Sequence, residues 1–342
     1  MIVNQTMKSA LAPPCRTSDG VQDRRVGIEI EFAALKPRDA ATLVTQRFGG
    51  KVVEVDPHRY EIQEGRHGVF LVELDAQYAH PNEKLSDVEK RKPWLSEMAN
   101  WLRDLDTEAS RLIGDLGGDL IPCEVVCPPI PWTELNQIED LYRALHKAGA
   151  AGTDEGLLYA FGLHMNVETS GTTVGHILPT LKAYLLLSPW LRSAIQVDGT
   201  RRIFPYIDPF PSSYIKRVCA PDYTPDLNAM IGDYLSFNPT RNRELDMLPL
   251  FSHLRAARVS GAVDDPRIKA RPAYHWRLPN ALFSGQEAGP LAEWSRWVTV
   301  ERLAADSDGL DKACESFQGL SPLPLTDDVE VFSTDLAKAY CP

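Results

Sequence analysis

The chain has 342 residues, 44% of them hydrophobic, with a formal net charge of −11. That length and apolar content allow one large domain with a sizeable core. The acidity argues against nonspecific nucleic-acid binding and against attraction to anionic membranes. Residues 1–24 lack periodicity, carry Pro13-Pro14 and read as an extended or disordered leader. Residues 25–342 contain no Pro/Gly/Ser-rich linker and read as a single catalytic domain.

The first predicted strand, Val26 to Phe32, alternates. Glu29 and Glu31 share one face, and Ile28, Ile30 and Phe32 share the other. Two adjacent carboxylates repel each other, and a hard divalent cation relieves the repulsion. Pro37 to Phe48 reads as a helix stopped by Gly49-Gly50, followed by short strands at Lys51–Val55 and Tyr60–Gln63 joined through Asp56-Pro57. Val69 to Asp75 places Glu73 and Asp75 opposite Phe70, Val72 and Leu74. Ser86 to Glu89 is a capping box, and Pro93 opens a long amphipathic helix that closes at Gly117-Gly118. Ile121 to Val126 sets Glu124 against Ile121, Cys123 and Val125, and Thr133 is expected to cap a helix running to about Lys147.

The clearest alternation is Tyr159 to Glu168. Gly162, His164, Asn166 and Glu168 face one way, while Phe161, Leu163, Met165 and Val167 face the other. Ile177 to Ile195 is the most apolar stretch, but prolines and charges interrupt it, so it reads as a buried helix and not as a membrane span. Asp198 to Pro225 reads as loops carrying Arg201, Arg202, Lys216 and Arg217. Helices are expected at Leu245–Arg258, Glu287–Asp306 and Asp327–Tyr340. Between the first two of these, Tyr274 to Leu278 sets His275 and Arg277 against Tyr274, Trp276 and Leu278.

Five two-faced strands pairing into one sheet would bury their greasy faces under helices. Their other faces would form a cavity lined with acids, His and Arg, suited to metal ions and anions. The fold class is α+β: a mainly antiparallel sheet with helices on one face and an open acidic active-site face. The six cysteines fit no common zinc knuckle and are expected to be reduced cytosolic thiols. No apolar segment follows a basic start, which adds to the expectation of a cytoplasmic protein. Glycine-rich phosphate loops, nucleophile elbows and His-Glu-x-x-His helices are absent from the sequence.

The ordered set Gly27-x-Glu29-x-Glu31-Phe32, Glu73-Leu74-Asp75, Glu124 to Pro129 and Gly162 to Asn166 resembles the amidoligase family, from about Arg25 to Leu282. That family looks like a branch of the carboxylate–amine ligase superfamily, which includes glutamine synthetase and glutamate–cysteine ligase. The resemblance implies a glutamine-synthetase-like sheet cupping a metal-bound nucleotide. It also implies ATP-dependent amide or isopeptide formation through an acyl phosphate, with Mg²⁺ or Mn²⁺. Glu29, Glu31, Glu124 and His164 match metal positions. Arg277 matches a phosphate-binding arginine, and Asn166 and Arg241 join it as expected nucleotide contacts. Glu73 or Asp75 is the candidate base toward the amine. Two departures stand out: Asn166 where many relatives carry His, and His275 where many carry Glu. The expected partners are small-molecule or peptide carboxylates and amines, with no nucleic acid and no membrane. The competing readings are a phosphotransferase on a related sheet, as in guanidino kinases, a non-catalytic nucleotide-binding protein, and a metal-dependent hydrolase.

Overall fold

The computed structural model describes residues 9–18, 20–74, 122–153, 161–195, 207–283, 288–320 and 327–341. An eight-stranded antiparallel sheet organises them, in the order β2-β3-β4-β5-β1-β6-β8-β7. Its strands are β1 (Arg25–Phe32), β2 (Lys51–Asp56), β3 (Arg59–Gly65), β4 (Gly68–Leu74), β5 (Cys123–Pro131), β6 (Leu163–Glu168), β7 (Leu245–Asp246) and β8 (Ala273–Trp276). All five strands with a two-faced pattern lie in this one sheet, and β1 sits near its middle between β5 and β6.

Helices among the described residues are α1 (Pro37–Phe48), α2 (Leu135–Lys147), α3 (Val174–Ala194), α4 (Ser212–Val218), α5 (Leu227–Phe237), α6 (Leu248–Ser260), α7 (Pro290–Ala305), α8 (Ser307–Gln318) and α9 (Asp327–Tyr340). Helix α1 packs on β3 and β4. Apolar residues run all round α3, and it is buried among α7, α8 and α9. Trp297 of α7 lies 5.6 Å from Trp276 and 5.4 Å from Tyr274 between ring centroids, which seals β8 from behind. The alternation rule explains the core: Ile28, Ile30, Phe32, Phe70, Val72, Val125, Leu163, Met165, Val167 and Trp276 are all fully buried. No helix among the described residues is long and apolar enough to cross a membrane.

Several local expectations need correction. Leu245-Asp246 is a strand and not the start of a helix; α6 begins at Leu248, with Pro249 in its first turn. Proline fits there because it has no N–H to leave unpaired. Thr133 does not cap α2. Its hydroxyl donates to Asp23 (3.1 Å), and a short 3₁₀ turn, Trp132–Glu134, leads into the helix. Ser212 to Val218, read as loop, is helix α4. Within it, Lys216 donates to the Leu320 carbonyl (3.2 Å), and Arg217 lies 3.7 Å from Asp233. The expected long helix after Pro93 lies outside the described residues, as do Asp75, Arg201 and Arg202.

The segment before β1 packs on the molecule. The Leu11 carbonyl accepts from Trp294 Nε1 (2.7 Å), and buried Arg24 forms a two-point ion pair with Glu301 (2.6 and 2.8 Å). All six cysteines are free thiols.

Candidate functional site

Strand register places the polar side chains in rows across the sheet. In the first row, Arg59 faces Glu73, Glu73 faces Glu124, and Glu124 faces Glu31. Directly opposed side chains in antiparallel strands have Cβ atoms about 5 Å apart, and like charges so placed repel. Arg59 approaches Glu73 at 3.6 Å from one end of the row. At the other end the Gly162 N–H donates to Glu31 Oε2 (2.7 Å). A hard divalent cation such as Mg²⁺ or Mn²⁺ bound between neighbouring carboxylates would relieve that repulsion.

In the second row Glu29 faces His164. His164 Nδ1 lies 3.3 Å from Glu29 Oε2 and 3.8 Å from Glu31 Oε1. The imidazole lies over Gly162, where a Cβ would collide with its Nε2. This close approach, and not backbone conformation, is what requires glycine at 162. Gly162→Ala is therefore expected to push the ring away from Glu29. The His164 ring resonances should move, while the melting temperature stays within a few degrees. A histidine NMR spectrum superimposable on the wild type would show that the ring has room.

The third row is Gly27, Asn166, His275 and Asp246. Asn166 is its hub. Its Nδ2 donates to Glu29 Oε1 (2.8 Å), and its Oδ1 accepts from Arg271 Nε (2.9 Å) and Nη2 (2.6 Å), with His275 Nδ1 at 2.9 Å. The amide oxygen is thus already occupied by side chains of this chain.

Arg241, Arg271 and Arg277 gather at this end. Arg277 Nη1 donates to the Arg241 carbonyl (3.4 Å), and Arg241 Nε lies 3.8 Å from Asp246 Oδ2. Burial, and then the neighbouring Arg277, pull the Arg241 guanidinium below its ordinary value.

Electrostatics divide the site's groups. Burial pushes Glu29 up, but His275, the hydrogen bond and charge of His164, and Arg271 more than offset it, so the carboxyl stays ionised. Burial drives His275 well down, against the pull of Glu29 and helped by Arg277, His164 and Arg271. Burial raises Asp246 to about 6 from 3.8, even though Arg277, the Leu248 N–H, Arg241 and Arg271 all favour its charge.

The folded state therefore binds the Asp246 proton more tightly than the unfolded state does. Its contribution to stability falls as pH rises from about 4 to 6, by about 3 kcal/mol at ~1.4 kcal/mol per unit. Asp246→Asn should lack that portion of the slope. Denaturant titrations of both proteins at pH 4 and pH 7 check this: an equal wild-type-minus-variant difference at the two pH values would overturn it.

The fold thus brings together Glu29, Glu31, Glu73, Glu124, His164 and Asn166 across neighbouring strands, with Arg241 and Arg277 at the β7–β8 end. Asp75 lies outside the described residues. Asp246 and the bidentate role of Arg271 escaped the sequence reading. Asp246 between two apolar residues, with Pro249 marking a helix start, was the available signal. Carboxylates toward one end of this sheet face and arginines at the other could hold a cation and an anion on the same face.

A family model described as "putative amidoligase enzyme" matches residues 22–299 of the chain. No match was found among curated proteins or among solved structures.

Proposed function

The chain belongs to the amidoligase family, and from that premise we propose that it is an ATP- and Mg²⁺-dependent ligase joining a carboxylate to an amine through an acyl phosphate. One observation carries the reading. The Glu31–Glu124–Glu73 row and the Arg241, Arg271 and Arg277 group share one sheet face, joined by the Glu29–Asn166–Arg271 hydrogen bonds. Phosphoryl transfer asks little of the protein beyond positioning and charge neutralisation, and such a face supplies both. The antiparallel sheet with helices behind it agrees with a glutamine-synthetase-like architecture, with residues 25–342 acting as one catalytic unit in the cytoplasm.

In this mechanism the substrate carboxylate attacks the γ-phosphorus of ATP, and ADP leaves. The amine, having lost a proton, then attacks the acyl carbon, and inorganic phosphate leaves. A divalent cation neutralises phosphate charge when bound, and Glu29, Glu31, Glu124 and His164 would hold it. Arg277 and Arg241 hold phosphate oxygens by charge-assisted hydrogen bonds. Arg271, tied to Asn166, orients that amide. Glu73 or Asp75 accepts the amine proton.

The test is a coupled ADP-release screen with Mg²⁺ over a matrix of amino acids, small peptides, dicarboxylates and polyamines, with mass spectrometry of the products. ADP and phosphate release that needs both a carboxylate and an amine supports the reading. ADP release with a single acceptor and no free phosphate would make the protein a phosphotransferase. Nucleotide binding without turnover across the matrix would make it a binding protein.

A further inference from the structure

Glu29, His164 and His275 each offer one ligand atom, and these atoms lie within 4.8 Å of one another. Both imidazoles are buried, and their rings meet edge to face with centroids 5.5 Å apart. We propose that these three residues hold one divalent cation through a carboxylate oxygen and two ring nitrogens, so that this position selects an imidazole-accepting transition cation over Mg²⁺. The proposal rests on the reading of this sheet face as metal-binding and deepens it, because a hard all-oxygen site and a mixed nitrogen site choose different ions.

Ring orientation supports it. Arg271 can only donate, so the end of the Asn166 amide that it grips from two nitrogens is the oxygen. The other end then donates to Glu29 Oε1. His275 Nδ1, 2.9 Å from that same oxygen, must therefore carry a proton and donate. A neutral ring protonated at Nδ1 keeps its lone pair at Nε2. A metal-ligating histidine is commonly held in this way by an amide or carboxylate acceptor on its other nitrogen.

His164 is placed just as firmly. Its ring rests over the bare Cα of Gly162, with Nδ1 toward Glu29. Two imidazoles and one carboxylate suit Zn²⁺, Fe²⁺ or Ni²⁺, whereas Mg²⁺ demands oxygen ligands and gives up its water reluctantly. The facing carboxylates Glu31 and Glu124 remain the natural place for Mg²⁺. Asn166 is a positioning residue in this scheme, setting the tautomer of His275 and the rotamer of Glu29 together.

The experiment uses the full chain labelled with ¹⁵N-histidine and titrated with Zn²⁺ and, separately, with Mg²⁺. Zn²⁺ is expected to shift the ring nitrogens of two of the eight histidines, assigned by their loss in His164→Gln and His275→Gln. Mg²⁺ should leave the His275 ring unmoved. By calorimetry, His275→Gln should weaken Zn²⁺ at least about tenfold and leave Mg²⁺ within about twofold. The wild-type spectra need no variant to fold. Zn²⁺ bound with the His275 ring unshifted, or His275→Gln binding Zn²⁺ like the wild type, would overturn the inference. If Mg²⁺ still bound in that case, the metal reading of the carboxylate row would survive it. Absence of binding by either cation would overturn both. Ring shifts with Zn²⁺ alongside a ligase screen that yields no ADP would support the inference and sink only the proposed reaction.

Discussion

Met165→Asp is expected to unfold the protein or cost it more than about 4 kcal/mol, while His164→Ala, one residue away, should abolish turnover and cost stability no more than about 1 kcal/mol. Met165 is fully buried on β6, with Ile28 and Trp276 as its direct cross-strand neighbours. A carboxylate there would have no partner and would either stay charged at great cost or take up a proton. His164 points the opposite way, toward Glu29, where its removal leaves polar groups that water can reach. Thermal melts and ADP release on the pair separate the two faces of one strand. A folded, active Met165→Asp protein would reverse the parity of β6, and with it every assignment on the polar face.

That parity was legible in the sequence because strand alternation is a local signal. Each of β1, β4, β5, β6 and β8 announces its two faces in four or five consecutive side chains, such as Ile28-Glu29-Ile30-Glu31-Phe32. Helix α1 and the β2–β3 hairpin were equally readable, because Gly49 at positive φ and the Pro57-His58 turn punctuate them. Strand β7 was not readable. Two residues cannot establish a period, and Leu245-Asp246 ran on into the helical pattern of α6. Asp246 was missed for the same reason: its place opposite His275 comes from long-range pairing, not from its neighbours in sequence.

The role of Asn166 shows a further limit. Residue type alone leaves an amide free to coordinate or to hydrogen-bond. Only the arrival of Arg271 from 105 residues away fills its oxygen and turns it into an orienting group.

Changing Arg277 to Lys is expected to lower turnover about 100-fold, the scale of removing one donor from a preorganised anion site, with the fold intact. Arg277 follows β8, and its N–H donates to the Glu244 carbonyl (2.9 Å), so its backbone is pinned. Its side chain reaches the Arg241 carbonyl, and its charge is the first to oppose the burial-driven rise of Asp246. A lysine would keep the charge but lose the planar fork that holds one donor on that carbonyl and that the proposed mechanism uses to bind phosphate oxygens. If the contact strengthens in the transition state, turnover should fall more than the Michaelis constant for ATP rises. A purely structural Arg277 would behave otherwise: Lys and Ala would both retain near-full turnover at saturating ATP, and melting would register the change. In that case Arg241 or Arg271 would have to carry the phosphate. The two are separable, because Arg271→Lys should also disturb Asn166 and through it Glu29, whereas Arg241→Lys should not. Steady-state ADP release at several ATP concentrations, with a melt on each variant, decides among the three arginines.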